Sequence, residues 1–76
     1  MLDDVISRMS RASEALDVVR AVGELEHAAQ MVTNAEDANT VLAHANVIAK
    51  HTSRASLHQR LGAVRTQMDH KLKGVR

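Results

Sequence analysis

The chain has no cysteine, no proline and no Phe, Tyr or Trp, and only three glycines in 76 residues. Each absence closes a route. Without cysteine there is no disulfide staple and no thiolate zinc site. Without aromatic rings there is no stacking platform for single-stranded nucleic acid and no anchor for an amphipathic helix lying on a membrane. With glycine confined to Gly23, Gly62 and Gly74, nothing strongly enforces a chain break, and the remainder is rich in helix formers with few alternating runs. No Gly-rich phosphate loop, nucleophile elbow or pair of inward carboxylates occurs, so the expectation is a non-enzyme without a cofactor. The opening Met1-Leu2-Asp3-Asp4 is acidic and no long apolar run follows it, which points away from a signal peptide or membrane span and toward the cytoplasm.

What is present reads as one all-α domain over residues 1–76. A chain of this length buries a small share of its surface on folding. Its core must come from Leu, Val, Ile, Met and twelve alanines, which supply little area per residue. Small domains without staples make up such a deficit by association, so a second copy or a protein partner is expected to complete the core. The composition is poor in Lys, Asn and Ile, which suits a GC-rich bacterium or its phage.

Leu2, Val5, Met9, Ala12, Leu16 and Val19 alternate spacings of three and four, placing them at the a and d positions of a heptad seam. Val22 and Leu25 follow at spacings of three before Ala29 and Val32 resume the rhythm, so phase is lost around Gly23 as at a stammer. One long helix over about 3–32, overwound or bent at Gly23, is the expectation. Thr33-Asn34-Ala35-Glu36 has the form of a capping box, with Asp37 adding to a negative first turn. A second helix over about 35–51 follows, with Ala38, Val41, Leu42, Ala45, Ile48 and Ala49 inward. A third stripe, Leu57, Leu61, Val64, Met68, Leu72 and Val75, is rotated by roughly 80° to 180° from Ile48 and Ala49. That offset predicts a break near Thr52-Ser53, where either hydroxyl could cap a helix over about 54–73. The competing reading is a single rod from 35 to 73, roughly 60 Å long. Cations at Lys71 and Lys73 before Gly74 suit a helix end. The fold expected is an antiparallel helical hairpin or three-helix bundle with heptad-like seams, associating with itself or with a partner.

Charge is divided along the chain. Residues 1–40 hold eight acids against Arg8, Arg11 and Arg20, whereas residues 41–76 hold seven Lys and Arg against Asp69. Arg60 and Arg65 flank the Leu57, Leu61, Val64, Met68 stripe, and Arg54, Arg65 and Arg76 recur every eleven residues. Flanking charges of one sign select partners of the other. Glu26 on the first helix is a partial mate, but Arg8 and Arg20 share its flank, so an acidic partner or a second copy is expected to complete the match. Leu57, Leu61, Val64 and Met68 are therefore the expected contact seam, with Arg54, Arg60 and Arg65 as its charged rim.

Two histidine patterns carry weaker chemistry. Glu24 and His27 stand three apart, as in the Glu-x-x-His ligand pairs of di-iron bundles, but no further inward carboxylates accompany them, and solvated side chains are the simpler reading. His44, His51 and His58 recur every seven residues. On one helix that step is about 10.5 Å, too far for a shared metal, so they read as a partly exposed polar rim. The function expected is a small non-enzymatic interaction or assembly protein: adaptor, structural subunit or inhibitor. The alternative is a nucleic-acid-binding regulator using the basic second half, which could hold a few phosphates but lacks a compact helix-turn-helix.

Overall fold

The heptad seam expected to run unbroken through residues 2–32 is cut at Leu16. In the computed structural model, which describes residues 2–74, the chain forms four helices: α1 (Leu2–Glu14), α2 (Val18–Met31), α3 (Ala35–Lys50) and α4 (Ala55–Gly74). Leu16 takes φ 56°. Its N–H donates to Ser13 O at 3.1 Å, and the Asp17 N–H donates to Ala12 O at 3.0 Å. These are the paired bonds of a Schellman stop, with a leucine in the left-handed position that glycine normally holds. The reason lies in phase. At 100° per residue, Val5, Met9 and Ala12 point about half a turn away from Ala21, Val22 and Leu25. Only a break lets both sets face one core, and both are buried. Leu16 and Val19, expected in the seam, are instead 48% and 56% exposed. Gly23 lies inside α2 on its exposed face and interrupts nothing.

The second and third expected helices survive with small corrections. Asn34 caps α3 rather than Thr33: its Oδ1 accepts the Asp37 N–H at 2.8 Å and its Nδ2 donates to Asp37 Oδ2 at 2.9 Å. The cap is thus shifted by one residue, and Asp37 bonds the Asn34 side chain instead of closing a capping box on its backbone N–H. The break between α3 and α4 falls at residues 51–54, which excludes the continuous rod. Side chains hold it: His51 Nδ1 donates to Val47 O at 2.8 Å, and His58 Nε2 donates to Thr52 O at 2.6 Å. The Thr52 hydroxyl accepts the Arg54 N–H at 3.2 Å, fastening the turn rather than capping α4. Val75 and Arg76, expected at the end of the third stripe and of the basic edge, lie outside the described residues.

Short turns make the helices run up, down, up, down. Arg8 reaches Glu24 midway along α1 and α2, and Lys71 late in α4 reaches the C-terminal carbonyls of α2, so α2 and α4 are parallel. α2 and α3 each pack on all three other helices, while α1 and α4 do not meet. The section is a flattened rhombus with α2–α3 as its short diagonal. Alanine explains this: Ala21, Ala28, Ala29, Ala38 and Ala45 are buried on those two helices, and small side chains let backbones approach. The longest extent is 35 Å, shorter than the roughly 45 Å that an unbroken 30-residue helix would need.

Candidate interaction surface

The seam expected to meet another chain is filled by this one. Leu57, Leu61, Val64 and Met68 are buried, with Leu61 and Met68 at 0% exposure, in a core that α4 shares with α2 and α3. The periodicity identified the apolar face of α4 correctly but not what covers it, because α2, folded back at Leu16, supplies the missing surface. The charged rim is also largely engaged. Arg60 forms a bidentate pair with Glu26 on α2, its Nε donating to Oε2 at 3.0 Å and its Nη2 to Oε1. That hydrogen bonding holds the Glu26 carboxyl below its ordinary value against a smaller opposing effect of burial, and raises Arg60. Arg65 Nη1 lies 3.5 Å from Asn46 Oδ1 on α3. Arg54 is exposed, and its side chain has no partner among the described residues.

Three of the five histidines, His44, His51 and His58, bond within the fold. His44 joins α3 to α1, with Nδ1 at 2.9 Å from Ser13 Oγ and Nε2 at 3.4 Å from Ser10 Oγ. A serine beside a histidine is the geometry of an activated nucleophile. Here Ser13 is 2% exposed, and the two ring nitrogens face serine hydroxyls with no carboxylate among their partners. Glu24 is engaged by Arg8 at 3.4 Å, and His27 is exposed. Among the described residues no group of three or more His, Asp or Glu is placed to hold a metal.

What remains lies at one end of the bundle. The α1–α2 and α3–α4 turns sit at the same pole because α1 and α3 are parallel. Among the described residues the exposed large aliphatics are Leu16, Val19 and, at 41%, Val47, in the α1–α2 turn, the first turn of α2 and the last turn of α3. All three are at this pole. Arg11, Arg20, Lys50 and Arg54 lie at the same end, with Glu14 and Asp17. The first turns of α2 and α4 contain no acid, but Asp17 is the N-cap residue of α2 and the C-termini of α1 and α3 lie at the same pole, so the helix dipoles offset one another there and the field comes from the side chains. At the opposite pole the first turns are acidic. There Asp3 and Asp4 open α1, Glu36 and Asp37 open α3, and Lys71 and Lys73 close α4, each matching its local dipole. Comparison with family models, curated protein sequences and solved structures gives no match, so the reading of this pole rests on its residues. Among the described residues no helix is long and apolar enough to cross a membrane.

Proposed function

We propose that this chain is a small non-enzymatic interaction module of the cytoplasm, an adaptor, assembly subunit or inhibitor, that docks an acidic protein surface on the pole built from the α1–α2 and α3–α4 turns. The observation that carries the reading is coincidence: three exposed large aliphatics and four Lys and Arg side chains, set against Glu14 and Asp17, share one end. Aliphatic contact supplies affinity and the cations supply choice of partner.

A heterologous partner is favoured over a second copy. The internal seam is already closed, and an end face of 24 × 15 Å offers roughly 400 Å² per partner, about half of what a stable interface uses. End-to-end stacking of copies is therefore too small to persist, whereas a different chain can continue from the pole onto its flank. Nucleic-acid binding through the second half is less well supported, because Arg60 and Lys71 are occupied within the fold and no unbroken basic stripe is left to follow a phosphate backbone.

The test compares the immobilised wild-type chain with a Leu16→Ser/Val19→Ser/Val47→Ser variant of unchanged melting temperature. A protein held from cell extract by the wild type, released by salt and not held by the variant, is the expected result. Equal retention on both chains, or retention of DNA instead, overturns the reading.

A further inference from the structure

Arg8 and Arg11, one turn apart on α1, are joined in space by Arg20 of α2. Arg8, Arg11 and Arg20 are the only cations of residues 1–40. With Ala12, Ala15 and Asp17 they line a recess of about 280 Å³ on the α1–α2 flank, beside the pole. The turn at Leu16 creates this site, because it carries Arg20 back against the helix that bears Arg8 and Arg11. Arg8 uses its Nε on Glu24 at 3.4 Å, leaving its two terminal nitrogens without a carboxylate. Arg11 and Arg20 make no ion pair and no side-chain hydrogen bond among the described residues. Guanidinium groups gathered around a hollow repel one another, and the single Asp17 carboxylate in the lining offsets only part of their charge.

We propose that this recess is the carboxylate subsite of the docking pole, taking a Glu or Asp side chain of the partner while that residue's aliphatic neighbours rest on Leu16 and Val19. The inference rests on the docking reading above and names the chemistry of the partner segment. Three features select a single carboxylate. The planar forks of arginine match its two oxygens. Three guanidinium groups set against the Asp17 and Glu24 carboxylates leave one positive charge, which suits a monoanion and disfavours a phosphate dianion or a row of phosphates. The methyl groups of Ala12 and Ala15 give the recess an apolar lining for the stem of the incoming side chain.

The test is a titration of ¹⁵N-labelled protein with two acetylated, amidated peptides, one alternating glutamate with leucine and the other with every glutamate replaced by glutamine. The glutamate peptide is expected to move the Nε–H signals of Arg11 and Arg20 and the amides from Ala15 to Arg20, and to bind at least about tenfold tighter than the glutamine peptide. An Arg11→Gln/Arg20→Gln variant with unchanged melting, both residues being exposed, should lose that advantage and bind the two peptides alike. Equal binding of the two peptides to the wild type, undiminished preference in the arginine variant, or stronger perturbation of the same residues by inorganic phosphate or a short DNA duplex would each overturn the carboxylate site. Failure of the two readings is separable. If Leu16→Ser/Val19→Ser abolishes binding while Arg11→Gln/Arg20→Gln does not, the docking pole stands and the subsite falls.

Discussion

Leu16 offers a substitution pair whose sign distinguishes a broken helix from a continuous one. At φ 56° a residue with a Cβ carries about 1–2 kcal/mol of strain that glycine does not. Leu16→Ala removes the leucine side chain and keeps the strain, whereas Leu16→Gly removes both. Glycine also loses about 0.5–1 kcal/mol more backbone entropy on folding than alanine does. The difference leaves the glycine variant more stable than the alanine variant by about 0.5–1 kcal/mol, reversing the usual order of these two residues. Gly23→Ala is the control, because it lies within α2 with open space where a Cβ would go. There alanine should be the more stable by about 1 kcal/mol. With no Trp or Tyr for fluorescence, the measurement is urea unfolding followed by far-ultraviolet circular dichroism. A glycine variant at 16 less stable than the alanine variant by about 1 kcal/mol would mean that the chain is helical through Leu16, and the four-helix arrangement would be wrong.

Three further substitutions address the interior. Leu61→Ala opens a cavity at a fully buried position and should cost about 2–5 kcal/mol, with no change in solution mass because the cavity lies inside one chain; dissociation of a larger species on mutation would show that α4 packs between copies. Since Arg60 lowers the Glu26 carboxyl, the folded form binds that proton less readily than the unfolded form. The contribution is present above the ordinary value of 4.5 and lost as pH falls through the depressed one. Glu26→Gln should flatten that part of the acid limb, and an acid-unfolding profile identical to wild type would count against the pair. Lys71 Nζ donates to Ala29 O and Val32 O, each at 2.8 Å, and to Gln30 O at 3.4 Å. Lys71→Met should destabilise by about 1–3 kcal/mol by taking the donor from the part-buried Val32 carbonyl while Gln67 Nε2 still reaches Ala29 O, with faster hydrogen exchange in the last turn of α2; unchanged exchange there would contradict the cap.

Much of the architecture is legible in the sequence where two local signals agree. The start of α3 is marked by a capping pattern and an apolar stripe together, and the α3–α4 break by a rotation of the stripe and a pair of hydroxyls. The α1–α2 break carries a phase signal without a residue signal. Leucine is a helix former, so the heptad reading runs through Leu16 and assigns the lost phase to the nearest glycine. The half-turn offset between the Met9 and Val22 sets was nonetheless present, and is visible once Leu16 and Val19 are dropped from the stripe. The destination of the α4 face was not legible, because periodicity states which side of a helix is apolar and not which helix covers it. Glu26 was identified as a mate for the α4 cations, and its pairing with Arg60 follows from that same face. The arginine recess has no linear signature at all, since its members come from two helices joined by the turn that the heptads concealed.

That turn also alters what the poverty of the core implies. An alanine-rich interior suggests a deficit that another chain must fill, yet alanine lets α2 and α3 form a short diagonal from which each reaches three neighbours. Four short helices then close over seventeen core side chains among the described residues. The aliphatics left outside are consequently unneeded by the core, and one of them, Leu16, stands strained in a position that glycine would occupy freely. Strain held at an exposed residue is a reason to look for function there. Against the wild type, Leu16→Gly relieves about 1–2 kcal/mol of strain and loses a comparable sum of half-buried leucine contact and glycine entropy, so its stability should stay within about 1 kcal/mol. Docking of the glutamate–leucine peptide should nevertheless weaken about tenfold, as expected when one aliphatic anchor is removed from a small interface. Binding as tight as wild type in this variant would mean that Leu16 is only a turn residue, and would remove the aliphatic half of the docking pole.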